Sequence, residues 1–155
     1  MAARVRAFLD TSALFAAVWS DQGGARMILK LGEAGAVSLL ISPQVIKEAE
    51  GALKRKAPES LPFLAILLDR SGITVTGAAP HKSAAALSSV TGHPGDAQIV
   101  ADALQAKADY LITLDREHLL GNTLLAGAVQ LPIGTPGDFL AWFRGQIGKV
   151  KLELE

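Results

Sequence analysis

The sequence predicts an α/β fold: a single-domain, three-layer sandwich with a central, mostly parallel five-stranded sheet flanked by helices. Short apolar runs of strand length alternate along the chain with longer segments whose apolar residues recur at helical spacing. Such alternation is typical of strands joined by crossover helices, which makes neighbouring strands parallel. The length of 155 residues fits one domain with a normal hydrophobic core.

The composition excludes several classes of function. The 15 basic residues balance the 15 acidic ones, so no global basic charge marks a nucleic-acid-binding protein, and any such partner must be bound by a local patch. The absence of cysteine excludes thiol catalysis, disulfides and cysteine-bound zinc. No apolar stretch reaches the roughly 18 residues of a membrane-spanning helix, and no secretion signal follows the N-terminal arginines. We therefore expect a cytoplasmic protein whose chemistry uses oxygen ligands.

The predicted elements in the first half of the chain are bounded by clear stop signals. Gly35 ends a helix. Ser42 and Pro43 give the next helix an N-cap and a proline at its first position. That helix ends before Pro58 in the basic run 54–56, which is favourable at a helix C-terminus and is also a candidate phosphate contact. The predicted strands here are 5–9, 37–41 and 73–75, and the predicted helices are 13–19, 25–34, 43–56 and 61–69.

The second half of the chain continues the alternation, with one ambiguous segment. Residues 83–90 are alanine-rich and favour a helix, but the nearby prolines and glycines favour a loop. Thr135 and Pro136 begin the last helix. We divide the chain into a domain of residues 1–145 and a tail, 146–155, which alternates like an edge or partner-binding strand unless it is disordered. The remaining predictions are a helix from Asp96 to about residue 108 and strands at 110–114 and 129–133.

Four acidic residues stand at comparable places in these predicted elements. Asp10 follows the first strand and Asp115 the fourth, Asp96 opens a helix, and Glu48 lies in the second turn of the helix after the second strand. Crossover connections return each parallel strand in the same direction, so the carboxyl ends of the strands meet at one edge of the sheet. Ligands of open α/β sheets bind at that edge. We therefore expect the four acids to lie close together.

A cluster of carboxylates is costly unless a cation lies between them, because like charges raise one another's pKa. Magnesium and manganese prefer carboxylate and water ligands, and they can activate water and stabilise a phosphoryl transition state. The alternative is that the acids serve the structure alone, so that Asp10 only caps the following helix, as Thr11 or Ser12 could. The sequence predicts a Mg²⁺ or Mn²⁺ site, with helix capping as the alternative.

Four motifs in this order resemble a PIN domain over nearly the whole chain: LDTSA at 9–13, SPQVIKE at 42–48, GDAQIVADAL at 95–104 and ADYLITLD at 108–115. The ending TPGDFL at 135–140 is similar to that of toxin-like PIN proteins in bacteria and archaea. The resemblance implies a metal-dependent ribonuclease that is the toxin of a toxin–antitoxin pair, with an RNA substrate, a cognate antitoxin and a homodimeric assembly. It assigns catalysis and the binding of Mg²⁺ or Mn²⁺ to four residues: Asp10, Glu48, Asp96 and Asp115.

Other residues support the family pattern or depart from it. Thr113 matches a family position that supports the site, and Thr11 belongs to the first motif. Ser12 stands where the family usually has Asn, although its hydroxyl can still position a water. Glu117 is a reserve candidate for the site, whereas Asp102 projects from the middle of a helix and is expected to be solvated.

The departure at Ser12 leaves a second hypothesis open, a catalytically weakened PIN-like binding or scaffold module. Some relatives carry further acids where this chain has His93 and Gly95, and His93 is expected to cap a helix or to pack. A phosphatase of the haloacid dehalogenase type would need an aspartate at position 12, and no Walker or Rossmann glycine motif occurs. The ribonuclease hypothesis therefore leads.

Overall fold

The computed structural model describes residues 4–154, and within that range it contains one sheet of five parallel strands, which confirms the predicted fold class. The strands are β1 (Val5–Leu9), β2 (Val37–Ile41), β3 (Thr74–Val75), β4 (Tyr110–Ile112) and β5 (Ile133–Gly134). Their order in the sheet is β3-β2-β1-β4-β5. All four pairings are parallel, so the qualification "mostly parallel" is not needed for these strands.

Helices occupy most of the remaining chain. The helices are α1 (Thr11–Trp19), α2 (Gly24–Glu33), α3 (Pro43–Lys56), α4 (Leu61–Arg70), α5 (His81–Thr91), α6 (Pro94–Gln105), α7 (Thr123–Ala128) and α8 (Pro136–Leu154), with a short 3₁₀ helix at Pro58–Ser60. Helix α1 packs against α2 and α3, α5 packs against α6, and α2 also contacts the last helix, α8. No helix among residues 4–154 is long and apolar enough to cross a membrane.

Strand β1 lies in the middle of the sheet and is covered on both faces. Ala7, Phe8 and Leu9 are each 0% exposed. Because successive strand residues point to opposite faces, burial of all three requires helices on both sides of the sheet. Phe8 is in register with Leu40 of β2 and Leu111 of β4, which are themselves buried. The sheet is therefore the middle layer of three.

Two of the predicted helix starts are confirmed in atomic detail. The Ser42 hydroxyl accepts a hydrogen bond from the Val45 N–H at 3.3 Å, and Pro43 is the first residue of α3. At α8, the Thr135 N–H donates to the Asp138 carboxylate and the Asp138 N–H donates to the Thr135 hydroxyl, both at 3.0 Å. This reciprocal cap satisfies donors that the first helical turn leaves free, and its hydrogen bonds lower the pKa of Asp138.

Two predictions for the second half of the chain are corrected, and one that was left open is resolved. The fifth strand is Ile133–Gly134 and not 129–133: the unpredicted helix α7, which Asn122 caps, extends to residue 128, and β5 pairs with β4 only at Ile133 and Gly134. The ambiguous segment 83–90 lies within helix α5. The strand expected in the tail is wrong: residues 146–154 continue α8, so the boundary predicted after residue 145 falls inside a helix. A helix already formed adds one hydrogen bond per residue, and no proline interrupts this one.

Gly32 provides a test of how closely α2 packs on the sheet. A Cβ at Gly32 would lie 2.5 Å from Cδ1 of the buried Leu39 and 2.7 Å from the Ser71 carbonyl oxygen. We expect Gly32→Ala to lower the free energy of unfolding by about 1–3 kcal/mol through overpacking. The matched control is Gly145→Ala in α8, where nothing lies within 4 Å, and it should raise stability by up to about 1 kcal/mol. Urea unfolding measures both, and equal stability of the two variants would contradict the packing described.

Candidate metal centre

The predicted acids lie where the strand order reverses. Within the sheet, β2 is the neighbour of β1 towards one edge and β4 is its neighbour towards the other edge. The direction in which strands are added therefore reverses at β1, and a crevice opens between the carboxyl ends of β1 and β4. The two ends are joined by a hydrogen bond from the Asp10 N–H to the Ile112 carbonyl at 3.1 Å. Asp10 follows β1 directly, and Asp115 follows β4 three residues after its end.

All four acids named from the sequence line one cavity of about 580 Å³ at this edge of the sheet. They enter it from four places in the chain: the end of β1, the second turn of α3, the start of α6 and the loop after β4. The other lining residues are Thr11, Ser12, Phe15, Ala16, Trp19, Ala52, Lys56, Ile99 and Leu114. The structure therefore brings together side chains that are more than a hundred residues apart in sequence.

Asp10 is the most deeply buried of these acids, with 4% of its surface exposed. Its Oδ1 accepts hydrogen bonds from the Ser12 hydroxyl at 2.7 Å and the Ala13 N–H at 2.9 Å, and its Oδ2 accepts one from the Thr113 hydroxyl. Burial raises the pKa of Asp10 to about 6 in spite of these donors, and the charge of Asp115 adds to the rise. A carboxylate in this position would gain from a nearby cation.

The bond to Ala13 makes Asp10 the N-cap of α1, so the capping expected of Thr11 or Ser12 is wrong. The Ser12 hydroxyl instead accepts the Leu114 N–H at 2.9 Å, and the Thr113 hydroxyl accepts the Asp115 N–H at 2.9 Å. Each hydroxyl thus connects Asp10 to the backbone that follows β4. Together the two hydroxyls fix the distance between Asp10 and the loop that carries Asp115.

Glu48 lies at the exposed side of the cavity and is held by two polar neighbours. The Thr11 hydroxyl donates to its Oε2 at 2.6 Å, and the Gln44 side-chain amide donates to its Oε1 at 2.8 Å. The same Gln44 amide donates to the Gly95 carbonyl at 3.2 Å, immediately before Asp96. Gln44 was not among the residues predicted from the sequence, although its spacing of four from Glu48 on a helix allows the contact.

Asp96 and Asp115 converge with a histidine that the sequence analysis did not name. Oδ2 of Asp96 lies 3.1 Å from Nδ1 of His118, and Oδ2 of Asp115 lies 3.5 Å from the same atom. One ligand atom from each of the three residues lies within 4.8 Å of the other two. Burial raises the pKa of Asp96, as do the charges of Asp115 and Glu48, while His118 and another nearby histidine act in the opposite direction.

This donor set fits a divalent cation. Two ligands on opposite sides of an ion with bonds of about 2.1 Å are about 4.2 Å apart, so atoms already within 4.8 Å need only small side-chain rotations to bind one ion. The carboxylate oxygens are the ligands that Mg²⁺ and Mn²⁺ prefer. Burial is the largest cause of the raised pKa values of Asp10 and Asp96, and the charge of Asp115 adds to both, so a cation beside these carboxylates would relieve part of that repulsion.

Three further sequence predictions near the site can be assessed. Asp102 is not solvated: it is 1% exposed, and its Oδ1 accepts the Ala79 N–H at 2.6 Å and the Gln98 amide at 2.9 Å. It stands away from the cavity and ties the loop before α5 to α6. The side chain of Glu117 is 84% exposed and does not line the cavity. His93 caps α6, as expected, by accepting the Gly95 N–H at 3.1 Å.

Comparison with known protein families adds an independent observation. The model of the PIN domain family matches residues 6–117, which is well over half of the chain. The chain belongs to the PIN domain family. The matched range includes all four acids and both hydroxyls that hold Asp10. A search of curated proteins found no match to this PIN domain.

Solved structures share the fold of this PIN domain at low sequence identity. PAE2754 from Pyrobaculum aerophilum is 23% identical, with a TM-score of 0.65 over 91% of this chain and 90% of its own. A toxin–antitoxin complex from Klebsiella pneumoniae is 20% identical, with a TM-score of 0.59 over 84% and 97%. VapBC2 from Rickettsia felis, bound to a DNA fragment from its promoter, is 16% identical, with a TM-score of 0.61 over 83% and 97%. At these identities the likeness concerns the fold.

The Asp96→Asn variant of this PIN domain tests whether Asp96 binds a metal ion or serves the structure alone. Because His93 provides the cap of α6, the substitution removes a repelling charge without removing the cap. We expect the metal-free variant to be as stable as the wild type or more so. Manganese at a hundredfold excess over Kd should stabilise the wild type by about 2.7 kcal/mol and the variant much less.

Melting curves of both proteins, in manganese and in EDTA, measure this difference. Equal metal shifts in the two proteins would show that Asp96 is not a ligand. If manganese shifts the melting temperature of neither protein, the result would count against a metal site at the four acids.

Proposed function

We propose that this PIN domain is a metal-dependent endoribonuclease that hydrolyses RNA phosphodiester bonds. The observation that carries the proposal is the convergence of four carboxylates on one open cavity at the switch point of the sheet. Hydrolysis of a phosphodiester requires an activated water and positive charge near the phosphate. Carboxylates supply no positive charge, but they can hold a cation that supplies it and that helps to activate the water.

The residues divide into ligands and a water-orienting base. Asp96 and Asp115 would hold Mg²⁺ or Mn²⁺ through their converging Oδ2 atoms, with Asp10 contributing charge or a ligand from the buried end of the cavity. When bound, such an ion favours deprotonation of water near neutral pH and stabilises the negative charge that develops on the phosphate. Glu48 is exposed and fixed from two sides, so it can accept a proton from the attacking water or act as a further ligand.

Thr11, Ser12 and Thr113 act as positioning residues in this proposal. Each hydroxyl donates to one of the proposed catalytic carboxylates and so limits its rotation. Preorganised ligands bind an ion without first losing side-chain freedom, which is why such supporting contacts matter for metal sites.

The wall of the cavity supports a single-stranded nucleic acid as the substrate. Phe15 and Trp19 stand one helical turn apart with ring centroids 5.9 Å apart, and Trp19 is 61% exposed. Lys56 lies over the Phe15 ring, 5.7 Å from its centroid, and lines the same cavity. Exposed aromatic rings can stack on unpaired bases, and a lysine beside them can contact a phosphate. In the sequence, Lys56 belongs to the basic run that ends α3.

The second candidate, a catalytically weakened binding or scaffold module, depends on Ser12 in place of the usual Asn. The contacts of Ser12 favour the enzyme instead. Its hydroxyl donates to Asp10 and accepts the Leu114 N–H, so it fulfils a role in holding the site that an Asn side chain could also fill.

We further propose a cytoplasmic toxin that forms a homodimer and is restrained by a cognate antitoxin. The solved structures with a similar fold include a toxin–antitoxin complex and VapBC2. An apolar patch on this chain supports a protein partner: Trp19, Phe63 and Ile66 are each more than half exposed around one groove. Such a patch on a small domain often marks a protein interface.

Cleavage of single-stranded RNA tests the activity. The purified protein should cleave in the presence of Mg²⁺ or Mn²⁺ and not in EDTA, and Asp10→Asn should lower the rate by about a hundredfold or more. Asp69→Asn, an exposed acid outside the cavity, is the matched control and should cleave like the wild type. A panel of RNA substrates is needed because substrate choice can be narrow. Undiminished cleavage by a folded Asp10→Asn variant would refute the assignment.

Self-association tests the proposed dimer. We expect light scattering to report a dimer at high micromolar concentration, and Phe63→Asp to shift it towards the monomer by placing a charge in an apolar interface. Leu124→Asp changes an equally apolar, 69% exposed side chain on α7 and should leave the dimer intact. A wild-type protein that is strictly monomeric at this concentration would reject the proposal.

A further inference from the structure

His118 lies inside the acid cluster, although a side chain at this position could have pointed to solvent. Its Nδ1 faces two carboxylate oxygens, Oδ2 of Asp96 at 3.1 Å and Oδ2 of Asp115 at 3.5 Å. The side chain is 27% exposed, so the ring is partly covered and its orientation is restricted. This nitrogen is close enough to both carboxylate oxygens to serve as a third ligand of an ion bound there.

The loop after β4 fixes this orientation. Oδ1 of Asp115 accepts the N–H groups of Glu117 and His118 at 2.9 and 3.1 Å, which closes a tight turn. The turn brings the His118 ring back towards the start of α6, and it leaves Oδ2 of Asp115 directed at the cluster. The Asn122 side chain donates to the His118 carbonyl at 2.8 Å and holds the far end of the turn. One carboxylate therefore supplies a ligand oxygen and builds the loop that presents the imidazole.

The other ring nitrogen of His118 also has a suitable neighbour. Its Nε2 lies 4.0 Å from Oε1 of Glu117, and because the Glu117 side chain is 84% exposed, that side chain can rotate to accept a hydrogen bond from Nε2 without moving the ring. Histidines that bind metals usually donate their second nitrogen to a carboxylate or a carbonyl, which fixes the tautomer. In that tautomer Nδ1 carries no proton and is free to bind a cation between Asp96 and Asp115.

We propose that His118 is a ligand of the metal centre, through Nδ1, and that this nitrogen makes the centre prefer transition ions such as Mn²⁺ and Co²⁺ to Mg²⁺. Imidazole binds first-row transition ions well, whereas Mg²⁺ takes oxygen ligands almost exclusively. The mixed set of two carboxylates and one imidazole therefore discriminates between these ions. The inference shares with the proposed function the requirement for an ion at Asp96 and Asp115, and it adds the identity of a ligand and of the preferred ion.

His93 provides a matched comparison. Its ring centroid is 5.6 Å from that of His118, and its Nδ1 is 3.8 Å from Oδ2 of Asp96. However, this Nδ1 already accepts the Gly95 N–H as the cap of α6, and the side chain is 60% exposed. His93→Asn removes an imidazole that, like that of His118, lies close to Oδ2 of Asp96, and Asn is itself a good N-cap residue. The substitution therefore changes the surroundings of the cluster without removing the proposed ligand.

The experiment measures binding of Mn²⁺, Co²⁺ and Mg²⁺ to the metal-free protein by calorimetry, and nitrogen coupling to bound Mn²⁺ by pulsed electron paramagnetic resonance. The wild type and His93→Asn should show the coupling of a directly bound ¹⁴N, and His118→Gln should not. His118→Gln should also weaken binding of Mn²⁺ and Co²⁺ by about tenfold or more. Its Kd for Mg²⁺ should change by less than about threefold, because Mg²⁺ gains little from the nitrogen.

The outcomes distinguish this inference from the proposed function. Mn²⁺ bound to the wild type without nitrogen coupling, or with equal affinity in His118→Gln, would overturn ligation by His118 and leave the ribonuclease proposal standing. Failure of the wild type to bind any of the three ions would overturn both. The coupling is recorded on the wild type, so the test does not depend on correct folding of a variant.

Discussion

The burial of the Asp10 carboxylate between the ends of β1 and β4 is the constraint on which the rest of the site depends. An acid at this depth is costly to ionise, which is why its pKa rises to about 6 even though three groups donate hydrogen bonds to it. Those donors come from both sides of the crevice. The Ser12 and Thr113 hydroxyls also accept N–H groups of the loop after β4, so the acid and the loop are held by the same contacts.

The other three acids of the site are more exposed to solvent than Asp10. Asp96 and Asp115 are partly buried, and Glu48 is exposed. Burial raises the pKa of Asp96, and repulsion from Asp115 and Glu48 adds to the rise. The fold therefore maintains a concentration of negative charge that its own histidines offset only in part. A divalent cation is the simplest group that would stabilise this arrangement, and in the proposed reaction it would also activate water and stabilise charge on the phosphate.

Much of the fold was predictable because its signals are local. Ser42 with Pro43, and Thr135 with Asp138, form caps that depend on residues within one helical turn. The edge at which the acids gather followed from parallel strands and the residues that end them. Helix α7 carried a local signal that was overlooked, since Asn122 precedes it as an N-cap.

The features that could not be predicted depend on partners distant in sequence or on the shape of a loop. Asp102 tolerates burial because the Ala79 N–H, 23 residues earlier, donates to it, and a helical position alone does not reveal that contact. His118 joins the acids because the Asp115 carboxylate closes the turn that carries it. Sequence spacing gave no reason to choose His118 over Glu117, whose side chain points outward.

The central claim is that these acids form one cation site, and diffraction from crystals soaked in manganese tests it most directly. The account predicts an anomalous peak between the carboxylates of Asp96 and Asp115, inside the cavity that Asp10 and Glu48 also line. Manganese bound only elsewhere on the protein, with the four carboxylates unchanged and hydrogen-bonded to protein groups alone, would contradict it.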